Sequence, residues 1–231
     1  MSTILEWKAK QLVERTAISE WLPYEAWDDA NQVYRLDDGR IGVVFASKPL
    51  LGLSEESIQK LTNLFESDLP IGTTFQFMLH ASPIIEPYLD NHVVLAQRGQ
   101  AGERYVTDAR KTAAFYLNAR DTQLTSNPPL RPRDFTVYVS VAFPTQETTS
   151  LGWEDERIHQ AVSSIEGQLN TLGLLPERVG PLQLLSALHV LLNPGHSWES
   201  RPPAYSDQLP IRDQAVRLDT TAKLRTKMIE L

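Results

Sequence analysis

The sequence has 231 residues, of which 42% are hydrophobic and 22% charged, values that indicate a folded chain with a real core. Its formal net charge of -7 and the lack of a long lysine or arginine run disfavour nucleic acid as a primary ligand, because phosphate binding relies on basic side chains. The absence of cysteine excludes disulfides, thiolate catalysis and thiolate metal ligands.

Residues 1–30 are predicted to form an N-terminal extension. Apolar residues at helical spacing predict a short amphipathic helix over 3–20, and no apolar segment typical of a secretory signal is present in the first ten residues. The aromatic tract that follows contains a candidate docking surface of Trp21, Tyr24 and Trp27, since Trp and Tyr are frequent at interface hot spots. The alternative is that these rings cover the sheet.

A β-hairpin and a helix are predicted next. The Asp-Asp-Gly segment at 37–39 separates two β-rich runs and predicts a hairpin, because glycine adopts a positive φ without a steric penalty. Ser54 is a candidate N-cap for a helix. The helical spacing gives that helix one apolar face, consisting of Ile58, Leu61, Leu64 and Phe65. Residues 73–80 are predicted to form a strand.

A helical insertion is predicted over 84–124. Alternating residues predict a strand over 134–143, and apolar periodicity predicts an amphipathic helix over 154–172. A short strand is expected at 177–179. The apolar helix that follows, at 182–192, is about half as long as a bilayer span requires, so we interpret it as buried or interfacial.

Together these elements predict an α+β fold. Without the first hairpin strand and the insertion, their order is strand, helix, strand, strand, helix, strand, which is the split βαβ or ferredoxin-like order. We therefore expect a single domain over 1–231 with a ferredoxin-like antiparallel sheet and helices on one face. An extra N-terminal hairpin strand and the helical insertion complete it. Residues 196–231 are interpreted as a C-terminal linker.

No catalytic, cofactor-binding or metal site is predicted. The sequence contains no GxxxxGK[ST] phosphate-binding loop and no GxGxxG, GxSxG or HExxH motif. Two alternatives stay open. One is a free-standing hydrolase whose scattered site includes His80 and Ser82. The other is a ferredoxin-like module that binds nucleic acid by stacking bases on Phe75, Phe77 and Tyr138.

Several segments, taken in order, resemble the amino-terminal region of TraC-type ATPases, the F-type relatives of the VirB conjugation ATPases. Their order and approximate spacing agree over residues 18–220. The segments are ISEWLPYEAW at 18–27, GVVF at 42–45, PLLG at 49–52, LPIGT at 69–73, ASP at 81–83, RDF at 133–135, LLNP at 191–194 and IRDQ at 211–214.

This resemblance implies a cytoplasmic ATPase, peripheral at the bacterial inner membrane, that powers pilus assembly and conjugative DNA transfer through a type IV secretion system. Its RecA-like motor, which binds ATP and Mg and assembles as a hexamer, would lie outside this sequence. The resemblance therefore implies a non-catalytic docking and assembly domain. Its expected partners are inner-membrane secretion components and other copies of the ATPase, with no direct nucleic acid contact.

Overall fold

The computed structural model describes residues 17–50, 52, 54–66, 69–99, 102–145, 156–193, 204–217, 220, 223–225 and 228–230. Most of the amphipathic helix predicted over 3–20 lies outside these residues. Its last part falls in the 3-10 helix Ile18–Trp21.

Six α-helices and ten strands, several of them very short, lie within the described ranges. The helices are α1 (Glu55–Glu66), α2 (Glu86–Arg98), α3 (Glu103–Asp121), α4 (Glu156–Thr171), α5 (Pro181–Leu192) and α6 (Ile211–Ala215). The strands are β1 (Tyr24–Asp28), β2 (Val33–Leu36), β3 (Ile41–Ser47), β4 (Thr74–Ser82), β5 (Thr125–Ser126), β6 (Pro129–Leu130), β7 (Asp134–Phe143), β8 (Glu177–Arg178), β9 (Lys223–Arg225) and β10 (Met228–Glu230).

The chain divides into two compact units. The sheet unit consists of Met1–Phe77 together with Tyr138–Leu231, and the helical unit consists of Met78–Val137. The helical unit contains α2 and α3, which are the helices of the predicted insertion over 84–124.

The main sheet has the strand order β1-β2-β3-β7-β4, and β8 also pairs with β3. The pairs β1–β2, β2–β3 and β3–β8 are antiparallel. The strands predicted as the first to the fourth of the split βαβ order are β3, β4, β7 and β8. Their order in the sheet differs from their order in the chain. Strand β7 lies between β3 and β4, and β3 pairs with both β7 and β8.

One face of the sheet is covered by α5 and α6. The buried side chains of this cluster, called the α5–α6 core below, are Tyr34, Leu36, Val44, Val179, Leu184, Leu185, Ile211 and Ala215. Alternate residues of a strand point to opposite faces. Five buried side chains of β3 and β7 therefore point away from the α5–α6 core, namely Val43, Phe45, Val139, Val141 and Phe143.

The predicted α+β fold is confirmed, with a mostly antiparallel sheet. The ferredoxin-like detail, with helices on one face, is not confirmed. On one side Tyr34 and Val44 contact α5 and α6. Phe75 of β4 contacts Phe65 of α1.

The local signals of the hairpin and of α1 are confirmed. Gly39 has a φ of +81° in the turn between β2 and β3, where its N–H donates to Leu36 O at 3.0 Å. Ser54 Oγ accepts a hydrogen bond from Ser57 N–H at 3.1 Å, as an N-cap does. Only Leu64 of the predicted apolar face is buried, however, and the three other members are exposed: Ile58, Leu61 and Phe65.

Part of the predicted linker at 196–231 belongs to the core of the sheet unit. Ile211 and Ala215 of α6 are fully buried. The predicted N-terminal extension likewise contributes β1, which pairs with β2. None of the described helices combines the length and the apolar character that crossing a membrane requires.

In the helical unit, α2 and α3 pack against each other. The buried apolar side chains of this unit are few and mostly small: Ile85, Ala109, Ala113 and Ala119. Small side chains allow two helices to approach closely, but they bury little apolar area. The unit therefore has a small core of its own within the described residues.

Candidate docking surfaces

The aromatic tract predicted as a docking surface packs largely onto the sheet. Tyr24 and Trp27 are partly buried against the α5–α6 core. Their ring centroids lie 5.3 Å and 4.6 Å from that of Tyr34. Trp21 is also partly buried, in the 3-10 helix. The structure thus shows the packing role of two of these rings, and their docking role stays a prediction.

An irregularity in β1 places both rings on the same face. The register shifts between Tyr24 and Ala26. Tyr24 pairs with Leu36 and Ala26 pairs with Arg35, so β1 has one residue more than β2 at this point. Tyr24 and Trp27 are three residues apart and would face opposite sides of a regular strand. The extra residue of a bulge restores them to one side. No simple alternation in the sequence could have shown this arrangement.

Tyr34 is the buried centre of this cluster. Its hydroxyl donates a hydrogen bond to Val179 O at 2.7 Å. Burial raises the pKa of Tyr34 well above its usual value, with smaller contributions from Tyr24 and Tyr205. Burial also raises the pKa of Tyr24, although a hydrogen bond with Ser140 opposes the shift. Both hydroxyls therefore stay neutral in the fold, and that of Tyr34 donates to the backbone.

Asn193 connects the end of α5 to the chain after α6. Its Nδ2 donates to His189 O at 2.9 Å and to Ala215 O at 3.2 Å. Its Oδ1 accepts from Arg217 N–H at 3.0 Å and from the Thr220 hydroxyl at 2.6 Å. The side chain is 1% exposed. This buried amide therefore ties Ala215, Arg217 and Thr220 to the end of α5.

The IRDQ segment at 211–214 is also held by specific contacts. Gln214 Oε1 accepts from Ser206 N–H at 2.8 Å, and its Nε2 donates to Ser206 O and Leu209 O at 2.8 Å each. Arg212 lies 3.8 Å from Glu25 and 3.6 Å from Asp37. Asn193 of the LLNP segment therefore contacts Ala215, the residue that directly follows the IRDQ segment.

In the helical unit, exposed apolar side chains outnumber the buried ones. Nine large ones are exposed: Leu79, Tyr88, Leu95, Tyr105, Phe115, Tyr116, Leu124, Leu130 and Phe135. The rings of Phe115 and Tyr116 are in edge contact, with centroids 5.4 Å apart. Tyr116 also lines an apolar groove of about 290 Å³, whose other walls are Ile85, Tyr88, Leu89, Pro132, Arg133 and Asp134.

Polar groups lie along one side of this groove. The Tyr88 hydroxyl donates to Asp134 Oδ2 at 3.2 Å, and Arg133 donates to Arg120 O at 3.2 Å. An apolar groove with a few fixed polar groups is typical of a binding site. We take the Phe115–Tyr116 pair and this groove together as the candidate docking surface of the helical unit. No local sequence pattern predicts this surface, because its residues come from α2 and the residue before it, from α3, and from residues 132–134.

His80 and Ser82, the residues of the hydrolase hypothesis, lie at the end of β4. Burial lowers the pKa of His80, and the Asp134 carboxylate opposes that shift. Ser82 Oγ accepts a hydrogen bond from Ile84 N–H at 3.1 Å, just before α2 begins. This contact fits a structural role for the serine.

The three rings of the nucleic-acid hypothesis do not form one platform. Tyr138 packs against the α5–α6 core, whereas Phe75 and Phe77 contact Phe65 of α1. Among the residues that the structure describes, no group of three His, Asp or Glu side chains could hold a metal ion.

A comparison with protein families finds a match along nearly the whole chain. The family model described as TraC protein matches residues 18–231. The chain belongs to the TraC family. Searches of curated proteins and of solved structures return no match. TraC membership identifies a protein of conjugative type IV secretion. The match includes both the sheet unit and the helical unit. The Phe115–Tyr116 pair and the groove of the helical unit therefore lie inside the matched region.

Proposed function

We propose that this TraC-family chain is a non-catalytic docking and assembly domain of a type IV secretion ATPase, one that powers pilus biogenesis and conjugative DNA transfer. The observation that carries the proposal is the exposed aromatic pair Phe115 and Tyr116 beside the apolar groove of the helical unit. Large exposed apolar surfaces rimmed by polar groups are typical of protein interaction sites.

The proposal assigns ATP and Mg to a motor domain outside residues 1–231. It assigns to this chain the contact with inner-membrane secretion components, and hence a cytoplasmic position, peripheral at the inner membrane. Other copies of the ATPase are further partners, and no nucleic acid contact is proposed. The chemistry of the groove supports a protein partner, because its walls are mainly aliphatic and aromatic, with Arg133 and Asp134 to orient a bound segment.

Replacing Phe115 and Tyr116 together with alanine is expected to weaken membrane recruitment about tenfold, since aromatic hot-spot residues each contribute more than about 1 kcal/mol. The measurement is cosedimentation of the purified chain with inner-membrane vesicles from cells that contain the secretion system. Leu182→Ala is the matched control, because Leu182 is similarly exposed on α5 of the sheet unit. Equal binding to vesicles from cells without the system would contradict the proposal, as would an unaffected double variant.

A further inference from the structure

Strand β4 lies at one edge of the main sheet. In the strand order it has β7 on one side, and no strand among the described residues pairs with its other side. Successive residues of a strand direct their N–H and C=O groups to alternate sides, so an edge strand presents half of these groups without a strand partner. The part of β4 that belongs to the sheet unit, Thr74–Phe77, is called the β4 edge below.

The opposite edge of the sheet is protected in ways that β4 is not. At that edge β1 carries Glu25 and Asp28, is bulged between Tyr24 and Ala26, and packs against α6. Charges, bulges and covering helices are the usual means by which proteins prevent an edge strand from pairing further. None of the nine residues of β4 is Asp, Glu, Lys, Arg, Pro or Gly. The sequence of β4 is therefore that of a strand able to accept another strand.

One face of the β4 edge is apolar and aromatic. Alternate residues of a strand share a face, and the rings of Phe75 and Phe77 are stacked with centroids 6.2 Å apart. The Phe65 ring of α1 contacts both, at centroid distances of 5.7 Å and 6.1 Å. Phe77 is nevertheless 45% exposed. Apolar side chains of an added strand would cover this remaining aromatic surface.

The other face of the β4 edge is polar. Thr74 and Gln76 are both exposed, and they line a cavity of about 230 Å³ together with Arg40 and Ser140. Arg40 Nη1 donates a hydrogen bond to Thr74 Oγ1 at 2.9 Å. A strand added beside β4 would therefore meet polar groups on this face and aromatic rings on the other, which matches a segment of alternating polar and apolar residues.

We propose that the β4 edge binds an extended segment of another protein as an additional strand, with its apolar residues beside Phe75 and Phe77. An extended backbone pairs with the outward N–H and C=O groups, whereas a helix uses its own groups internally. The net charge of -7 favours a segment flanked by lysine or arginine. This inference goes beyond the proposed function, since the β4 edge belongs to the sheet unit and shares no residue with the groove of the helical unit.

A synthetic peptide of alternating valine and threonine, with a lysine at each end, is the probe for this site. The control is the same peptide with proline at its two central positions, because each proline removes a backbone donor and adjacent residues serve opposite edges. Amide hydrogen exchange of the full chain, followed by mass spectrometry, should slow at residues 74–77 with the probe and stay unchanged with the control. Equal effects of the two peptides, or no protection at 74–77 with the probe, would overturn the proposal.

A substitution in the chain gives a second readout. Phe77→Lys should weaken binding of the fluorescently labelled probe at least about tenfold in an anisotropy titration, because it removes an aromatic contact and repels the lysine flanks. Leu209→Lys is the matched control, since Leu209 is 57% exposed in the same unit and lies outside β4. Equal weakening by the two substitutions would contradict a site at the β4 edge.

Two further measurements distinguish this site from a contact between copies and from the groove. If exchange at residues 74–77 slowed with rising chain concentration in the absence of peptide, a second copy would occupy the edge and the proposal would be wrong. The Phe115 and Tyr116 double variant should bind the probe as tightly as the unsubstituted chain. A failure of docking through the groove is therefore distinguishable from a failure of strand addition at β4.

Discussion

Asn193→Ala is expected to destabilise the chain by about 3 kcal/mol. The side chain is buried; it donates hydrogen bonds to His189 O and Ala215 O and accepts them from Arg217 N–H and the Thr220 hydroxyl. Alanine would leave buried backbone groups without these partners, and each such group costs about 1–3 kcal/mol. Thermal unfolding followed by circular dichroism should show a Tm lower by roughly 6–12 °C for a chain of this size.

Asn170→Ala is the matched control for this substitution. Asn170 lies on α4, where its Nδ2 donates to Glu166 O at 3.1 Å, a bond to the carbonyl four residues earlier like the one from Asn193 to His189. Asn170 is exposed, so water replaces that bond and the expected change is within about 0.5 kcal/mol. Similar effects of the two substitutions would contradict the role of Asn193 as a buried connector.

Ile211→Ala is expected to cost about 3 kcal/mol, the usual range for removing a fully buried isoleucine side chain from a core. Ile211 is 0% exposed and belongs to the α5–α6 core together with Tyr34 and Leu185. Urea unfolding should show a lower midpoint with a similar slope, because the amount of surface exposed on unfolding changes little.

Leu209→Ala, two residues earlier, is the control. Leu209 is 57% exposed, so its truncation should leave the urea midpoint almost unchanged. If Ile211→Ala were equally neutral, residues 204–217 would act as a linker, and their place in the core would be wrong.

The features that sequence could predict are those that depend on neighbouring residues. The Asp-Asp-Gly turn predicts the β2–β3 hairpin because the positive φ at Gly39 is a local requirement. Ser54 predicts the start of α1 because its hydroxyl caps the amide three residues later. In the same way, the alternation of apolar and polar residues predicts β7. The α+β class follows from the order of the predicted helices and strands.

The features that sequence could not predict depend on packing between distant segments. The bulge that places Tyr24 and Trp27 on one face is set by pairing with β2. Ile211 lies in a short helix with too few residues for a periodic pattern, and its burial depends on α5 and β2. The largely exposed apolar face of α1 has the same sequence pattern as a buried one, because spacing shows that a face is apolar and does not show what covers it.

The same distinction applies to the candidate sites. The aromatic tract of Trp21, Tyr24 and Trp27 has a composition typical of interfaces, yet two of its rings contribute to the α5–α6 core. The groove beside Phe115 and Tyr116 is built from segments that are far apart along the chain, so no local pattern predicts it. The segments that resemble TraC relatives include LLNP and IRDQ, whose contacts hold the fold together. The RDF segment at 133–135, by contrast, contributes Arg133 and Asp134 to the groove, so family resemblance and the proposed docking surface share these residues.

Site-specific photocross-linking in conjugating donor cells tests the docking role most directly. A photoreactive phenylalanine analogue would replace Phe115 in one protein and the exposed Leu182 in the control. We expect an adduct from position 115 to an inner-membrane component of the secretion system, lost when that system is deleted, and no such adduct from position 182. An absence of system-dependent adducts at position 115, or equal adducts from both positions, would contradict it.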